Sequence, residues 1–253
     1  MRVRRRSAVV ILGAALALLG GGVGSARAGF LVNVQFNEQD DRAHSPTYRG
    51  AGVLGAAGDV WNAVSGRFDH APGLSNLPLV KSDGTASGVT LSYSTPFGFF
   101  DGTGQIPQAL FQGTPFQNLL DAYLFTFDSV TVSLDGLTPG GTYRLILYSA
   151  SNVATRDTLF TFNGLTQKVV TPDTRLTPGD GYADFTTTAD AAGRLSIRVA
   201  TGANFEGDLN GIQIQAAPDA SAVPEPASLT LLATGTLGLL GYAWRLAAQR
   251  SAR

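Results

Sequence analysis

Cysteine is absent from this 253-residue sequence, and histidine occurs only twice, as His44 and His70. The lack of cysteine excludes disulfide frameworks, thiolate metal sites and cysteine nucleophiles. Two histidines also leave little material for an imidazole metal cluster. Charged residues make up 15% of the chain, below the usual share of about a quarter. The 31 glycines and 12 prolines favour a fold rich in turns over a helical bundle.

Basic clusters are missing from the middle of the chain. Between Gly29 and Pro224 there are ten Lys and Arg residues against eighteen Asp and Glu residues, which leaves a net charge of about −8. Nucleic-acid binding depends on neutralising phosphates with lysine and arginine. The sequence therefore predicts no nucleic-acid partner, and the acidic middle suits a soluble exported domain.

The N-terminus has the layout of a secretory signal peptide. Four arginines within residues 2–6 precede an apolar run over 7–19, and Ala26-Arg27-Ala28 forms an A-x-A cleavage pattern. We predict a signal peptide over 1–28 with cleavage after Ala28, so that the mature chain begins at Gly29. An uncleaved anchor helix is the alternative, and the consecutive arginines leave the twin-arginine export route open.

The C-terminus carries a second apolar segment behind two prolines. Val223, Pro224, Glu225 and Pro226 precede an apolar stretch over about 229–244, and Arg245, Arg250 and Arg253 follow it. The prolines block helix formation and hold the glutamate in extended backbone. The apolar stretch is short for a bilayer of roughly 30 Å, although flanking arginines can reach the membrane surface. A transmembrane helix over 229–244 with a cytoplasmic tail is the prediction.

This tail resembles the PEP-CTERM sorting signal of Gram-negative bacteria. The resemblance rests on Pro224-Glu225-Pro226, the Leu/Gly-rich span and the basic end, and it assigns 219–253 to a sorting tail. It implies recognition by exosortase, a membrane protease, and an association with exopolysaccharide and biofilm matrix. It also implies transient anchoring in the inner membrane before release to the cell surface or the matrix. An ordinary C-terminal anchor behind a rigid linker is the alternative.

Alternation of polar and apolar residues predicts an all-β domain over 29–218. In 129–134, for example, valine and leucine face one way while serine and threonine face the other. Only Phe116–Leu124 has helical spacing. Many strands with one short helix indicate a single β-sandwich or barrel. The predicted strands are 30–36, 88–94, 129–134, 142–150, 158–162, 167–171, 184–188, 194–200 and 211–215.

Several short phrases in this domain are similar to those of PEP-CTERM ectodomains and of galactose-binding-like jelly rolls of the malectin type. They include Phe162-Asn163-Gly164 and the closing Leu209-Asn210-Gly211-Ile212. The resemblance implies a jelly-roll-like sandwich.

Four residues are candidates for contact with a ligand. Sugar binding requires an aromatic face beside amide or charged groups, and Trp61 with Asn62 lies in a glycine-rich segment. Tyr148 ends a predicted strand that also carries Arg144. The alternative for Trp61 is a purely structural role inside the sandwich.

Cofactor and catalytic signals are weak. Glu38, Asp40 and Asp41 form an acidic segment that could bind Ca²⁺ through oxygen ligands, although no EF-hand pattern is present and a solvated loop is the alternative. Gly50–Gly55 matches G-x-G-x-x-G without the strand before it and the helix after it that dinucleotide binding requires. The acids show no glycosidase pair, and neither histidine accompanies a serine elbow. We therefore predict no catalytic residues.

Three hypotheses for function follow. The first is a non-enzymatic exported protein that is sorted by exosortase and binds glycans in a polysaccharide-rich matrix. The second is a hydrolase that acts on matrix polysaccharide. The third is a structural matrix protein without a ligand.

Overall fold

Strands with alternating burial make up most of the protein. The structure is a computed structural model and describes residues 29–38, 47–101, 111–114, 116–172 and 175–217. The elements in chain order are β1 (Leu31–Glu38), β2 (Asn62–Gly66), β3 (Leu74–Val80), β4 (Ala86–Tyr93), β5 (Gly98–Asp101), α1 (Gln117–Leu120), β6 (Ala122–Thr126), β7 (Ser129–Asp135), β8 (Thr142–Tyr148), β9 (Asp157–Phe162), β10 (Leu165–Val170), β11 (Thr177–Pro178), β12 (Gly181–Thr188), β13 (Leu195–Thr201), β14 (Gly207–Leu209) and β15 (Gly211–Ala216).

The strands form two large sheets and one small sheet. Sheet I has the order β11-β12-β8-β15-β1-β2, and sheet II has the order β10-β9-β13-β7-β4-β3. Sheet III is a three-stranded antiparallel sheet with the order β14-β6-β5. Most pairs in sheets I and II are antiparallel, and β1 with β2 is a parallel exception. The predicted all-β, jelly-roll-like sandwich is confirmed.

The main core lies between sheets I and II. Each large sheet turns every second side chain inward, as period-two patterns require. Val32, Leu145 and Ile212 of sheet I belong to the same buried cluster as Leu91 and Val132 of sheet II. The first compact unit of the chain ends at Ala216, where β15 finishes.

Two side-chain amides connect the edges of the sandwich. Asn62 of β2 donates to Val80 O and accepts from Val80 N, both at 2.8 Å, which joins sheet I to β3 of sheet II. At the other edge, Gln167 of β10 donates to Asp184 O at 2.8 Å and accepts from Asp184 N at 3.1 Å. Each side-chain amide thus forms hydrogen bonds with backbone groups of the facing sheet, at an edge where no further described strand provides them.

The predicted helix over 116–124 is shorter in the structure. Helix α1 ends at Leu120, and Ala122–Thr126 is strand β6 in the middle of sheet III. The spacing of Leu120, Tyr123 and Leu124 fits a helical stripe, but Tyr123 and Phe125 also alternate with Leu124 at a period of two. Pairing with β5 and β14 satisfies this backbone in extended form, so tertiary context overrides the local pattern.

The outer face of sheet I is also covered. Residues 47–61 and helix α1 lie against it and form a second buried cluster that includes Tyr48, Trp61, Leu119 and Tyr148. A polar network fixes this cover: Gln213 of β15 donates to Asn33 Oδ1 at 2.8 Å and accepts from Leu54 N at 2.9 Å. Sheet I is therefore buried on both faces.

Candidate ligand-binding site

Trp61 lies inside the cover of sheet I. Its side chain is 3% exposed, and its indole N–H donates to Gly50 O at 3.0 Å. The ring contacts Tyr48 and Tyr148 at centroid distances of 5.3 Å and 6.1 Å. These contacts are those expected of a structural residue. A ligand contact of Trp61 stays a prediction.

The other three ligand candidates also have internal partners. The hydroxyl of Tyr148 accepts from Val53 N and donates to Gln213 Oε1, both at 2.6 Å, and burial raises the pKa of Tyr148. Asn62 bridges the sheets as described above. Arg144 forms a bidentate pair with Asp184 at 3.0 Å and 2.6 Å, which raises the pKa of the guanidinium. Trp61 and Tyr148 are brought together, whereas Arg144 lies at the other end of β8.

Glu38 is the one calcium candidate within the described residues. Its carboxylate is buried at the end of β1 and accepts from Asp101 N at 2.7 Å. Asp40 and Asp41 lie outside the described residues. Within the described ranges, no group of three or more His, Cys, Asp or Glu side chains is arranged to hold a metal ion.

The signal and sorting residues also fall mainly outside the described part. Gly29, the predicted mature N-terminus, is exposed there, whereas Ala26 and Ala28 are not included. The same holds for Val223, Pro224, Glu225 and Pro226, for the predicted span over 229–244, and for Arg245, Arg250 and Arg253. In the described ranges, no helix has both the length and the hydropathy needed to cross a bilayer.

A cavity with ligand-like chemistry opens beside sheet III. We call it the aromatic pocket; it has a volume of about 260 Å³ and is lined by Phe68, Phe97, Phe100, Tyr123, Phe125, Phe127, Asn152, Arg156 and Glu206. Six of these nine side chains are aromatic, and the three polar ones follow β8 or precede β14. Apolar walls with a few polar groups at one end are typical of small-molecule sites.

The walls of the aromatic pocket follow from the pleat of β6. Tyr123 and Phe125 of this strand, together with Phe127 just beyond it, are spaced by two and therefore face the same way. Phe97 packs against Phe127 and Phe125 with centroid distances of 4.4 Å and 5.3 Å at inclined angles. Phe100 of β5 contacts Tyr123 at 5.2 Å.

Gly98 allows Phe68 to form part of this wall. A Cβ atom at position 98 would lie 1.7 Å from Phe68 O, so the backbone can approach this closely only at glycine. Phe99 N donates to Arg67 O at 2.7 Å and completes the contact. The ring of Phe68 then lies 5.8 Å from that of Phe125.

Three phenylalanines extend the wall to the surface. Phe97 is 38% exposed, Phe127 is 44% exposed and Phe205 is 72% exposed. Phe205 lies 6.2 Å from Phe127 and has a φ of 39°, a left-handed backbone that is costly for a bulky residue. Its segment is held by Asp157, which accepts from Gly202 N at 3.0 Å and from Ala203 N at 2.7 Å. Strain of this kind tends to occur at functional sites.

Arg156 organises the polar end of the pocket. Its Nη1 donates to Ser151 Oγ at 2.8 Å, to Asn152 Oδ1 at 2.9 Å and to the carboxylate of Glu206. Tyr123 turns its hydroxyl toward this cluster and donates to Asn152 Oδ1 at 3.1 Å. The guanidinium thus places a positive charge beside these oxygen atoms.

Asp208 lies beneath this polar end and is fully buried. Burial raises the pKa of Asp208 well above its usual value, and the neighbouring Glu206 carboxylate raises it further, while Arg156 acts in the opposite direction. The side chains of Glu206 and Ser151 lie next to the Asp208 carboxyl group. A neutral carboxylic acid is the form that such surroundings favour.

None of the residues that line this pocket was among the candidates from the sequence. The available signal was the aromatic spacing of Tyr123, Phe125 and Phe127, which the helical interpretation of 116–124 concealed. Arg156 and Glu206 are 50 positions apart, and nothing in the sequence pairs them.

Comparisons with known proteins concern the tail and the fold. Residues 222–250 match the family described as the PEP-CTERM protein-sorting motif. This chain carries a PEP-CTERM sorting motif. No curated protein matches the chain.

Solved structures similar to this chain share little sequence with it. A Bacillus subtilis protein is 13% identical with a TM-score of 0.38, and the match covers 75% of this chain and 40% of that one. The ANX2 ectodomain from Arabidopsis thaliana is 14% identical with a TM-score of 0.42, over 75% and 50% of the two chains. CBM35 from Cellvibrio japonicus Abf62 is 15% identical with a TM-score of 0.27, over 39% of this chain and 75% of the module. This chain thus spans less than half of the Bacillus protein.

Proposed function

We propose that this protein is exported, sorted by exosortase through its PEP-CTERM motif, and delivered to the surface or matrix of a Gram-negative bacterium, where its aromatic pocket binds a glycan. Residues 1–28 would serve as the signal peptide and 219–253 as the sorting tail. The span over 229–244 would hold the chain in the inner membrane until processing. The match of 222–250 to a sorting motif supports this route.

The aromatic pocket is the observation that carries the binding function. Sugars present apolar C–H faces that pack on aromatic rings and hydroxyls that need polar partners, and the pocket offers both. The protein keeps Phe97 and Phe127 partly exposed although exposed aromatic groups are unfavourable in water. Clustered exposed apolar groups mark interaction sites more often than scattered ones do.

The sorting proposal is tested by changing the tail. The producing bacterium would express the full chain, a form lacking residues 223–253, and a Glu225→Gln form. We expect only the full chain to lose its tail and to appear with extracellular polymer, as measured by intact mass and cell fractionation. Equal release of the truncated form, or equal removal of the tail from the Glu225→Gln form, would contradict the proposal.

The binding proposal is tested with the exported, processed protein and polysaccharide from the same bacterium. Phe127→Ala removes a half-exposed wall of the pocket and should weaken retention of the protein on immobilised polymer. Leu165→Ala removes an exposed apolar side chain from the start of β10 and should leave retention unchanged. Equal retention of both variants and the wild type would contradict binding at this pocket.

Hydrolysis is the second candidate, because the fold brings Glu206 and Asp208 together and raises the pKa of Asp208. Glycosidases use two carboxyl groups, one of them with a raised pKa. Asp208 is 1% exposed, however, which leaves its carboxyl group away from a bound sugar. Release of reducing sugars from the polymer by the pure protein, and its loss in Glu206→Gln, would favour the enzyme. A matrix protein without a ligand would show neither retention nor release.

A further inference from the structure

The walls of the aromatic pocket cannot form hydrogen bonds with a sugar hydroxyl. Five of its six aromatic side chains are phenylalanine, which has no polar atom. The sixth, Tyr123, turns its hydroxyl toward Asn152 at 3.1 Å. A hydroxyl pressed against these rings would lose its water partners without replacement, which is unfavourable.

Polar contacts are concentrated at one end of the pocket. Asn152, Arg156 and Glu206 are its only polar lining residues among those described. A ligand that fills the pocket must therefore be divided in the same way, with hydroxyls toward this end and an apolar group toward the phenylalanines. A plain hexose, which carries hydroxyls around the ring and on C6, does not have such a division.

Charge at the polar end disfavours an acidic sugar. Nη1 of the Arg156 guanidinium already donates to Glu206, Ser151 and Asn152. A uronate would have to displace the Glu206 carboxylate or bind beside it, and like charges repel. The site is therefore suited to a neutral residue.

The size of the pocket limits the ligand to about one sugar unit. Its volume of about 260 Å³ lies just below the range of roughly 300–1,000 Å³ that holds drug-sized ligands. A chain end or a side branch can enter such a space, while exposed Phe205 can contact the next unit.

We infer that the aromatic pocket recognises a neutral glycan residue by a methyl-bearing substituent, the C6 methyl of a 6-deoxyhexose or the methyl of an acetyl group, which packs among the phenylalanines. This inference rests on the proposed glycan binding and adds the chemistry of the sugar. The ring hydroxyls then meet Asn152, Arg156 and Glu206.

Matched sugars test this inference on the exported, processed protein. L-fucose and L-galactose differ only at C6, where methyl replaces hydroxymethyl, and N-acetyl-D-glucosamine differs from D-glucose by its acetamido group. Affinities would be measured by ligand-observed NMR titration, with D-galacturonate as the acidic probe. We expect one methyl-bearing sugar to bind about tenfold more tightly than its partner, as one apolar group in a hydrophobic pocket can provide. The first pair tests recognition of the C6 methyl of a 6-deoxyhexose, and the second pair tests recognition of an acetyl methyl.

Variants locate the effect. Phe127→Ala and Phe97→Ala should each abolish the preference between partners, and Leu165→Ala should retain it. Thermal unfolding of each variant establishes that the protein is folded. If one of the two phenylalanine variants does not fold, the other still tests the inference.

Each other result overturns the inference in a distinguishable way. Equal or tighter binding of the hydroxyl-bearing sugars, or tighter binding of galacturonate, overturns it and leaves glycan binding intact. Absence of binding by every methyl-bearing sugar also overturns it, and retention on the native polymer then decides separately whether the proposed function survives. A preference that persists in both phenylalanine variants would place recognition outside this pocket.

Discussion

Replacing Arg156 by methionine should destabilise the protein, because this side chain neutralises a buried carboxylate. The Arg156 side chain is 16% exposed and that of Glu206 is 9% exposed, so water solvates neither charge well. Methionine retains much of the apolar stem and removes the guanidinium. The substitution leaves Glu206 buried beside Asp208 with no cation to offset it.

The expected loss in the free energy of unfolding follows from the burial of this ion pair. Breaking a buried ion pair by removing one partner costs about 3–5 kcal/mol. Because the pair borders an open pocket, we take the lower end, about 3 kcal/mol, which corresponds to a fall in Tm of roughly 6–12 °C for a domain of this size. Loss of the bonds to Ser151 and Asn152 acts in the same direction.

Urea denaturation of the wild type, Arg156→Met, Glu206→Gln and the double variant would measure the effect. The double variant should be more stable than the sum of the single changes predicts, by about 2 kcal/mol, since contacting residues couple. Arg194→Met is the matched control, because Arg194 pairs with Asp135 while 54% exposed. An exposed pair contributes about 0–1 kcal/mol. A cost for Arg156→Met no larger than that of the control would refute the buried-pair argument.

Two further predictions concern the aromatic residues Trp61 and Phe205, and the buried carboxyl group of Asp208. Trp61→Ala should destabilise the protein by about 3–5 kcal/mol in urea, as for a core aromatic residue, whereas Phe205→Ala should change stability by at most about 0.5 kcal/mol. A stable Trp61→Ala variant that no longer binds polymer would instead assign Trp61 to the ligand. For Asp208, the raised pKa means that its contribution to stability is complete below the ordinary Asp value of about 3.9 and is lost as pH rises toward the folded value. Asp208→Asn, which cannot ionise, should therefore show a smaller fall in Tm from pH 4 to pH 8 than the wild type, and parallel melting curves would contradict this.

The fold could be predicted where one face of a strand is buried. In β7, Val130, Val132 and Leu134 enter the core and the residues between them do not, so the alternation in the sequence records the burial directly. The Asn163-Gly164 turn was equally readable, because both residues have positive φ, at 47° and 78°, as a two-residue hairpin requires.

Other strands left no such record. β3 contains Pro78 and a left-handed Asn76, and its pairing with β4 shifts register, so propensity and pattern both argue against a strand. β2 has one buried residue, Val64, and depends on its parallel pairing with β1. Long-range pairing of this kind cannot be seen in a local window.

The candidate site was obscured because aromatic residues mark packing and binding alike. Trp61 has the aromatic ring and the neighbouring amide that a sugar site needs, yet residues 47–61 fold over sheet I and enclose it. Phe127 is less conspicuous in the sequence and is 44% exposed just beyond the end of β6. Exposure depends on which segments cover which sheet, and tertiary structure alone determines that.

Sorting and binding should be separable in this protein, because the chain leaves the sandwich far from the pocket. β15 ends at Ala216, whose N–H donates to Phe30 O at 3.0 Å, so the end of β15 lies beside the predicted mature N-terminus. The first residue of β15, Gly211, pairs with Tyr148, from which the chain runs to Asn152 in the pocket. The six residues of β15 span about 20 Å at roughly 3.3 Å each. Tail variants should therefore change where the protein is found without changing its affinity for glycan, and pocket variants should do the reverse.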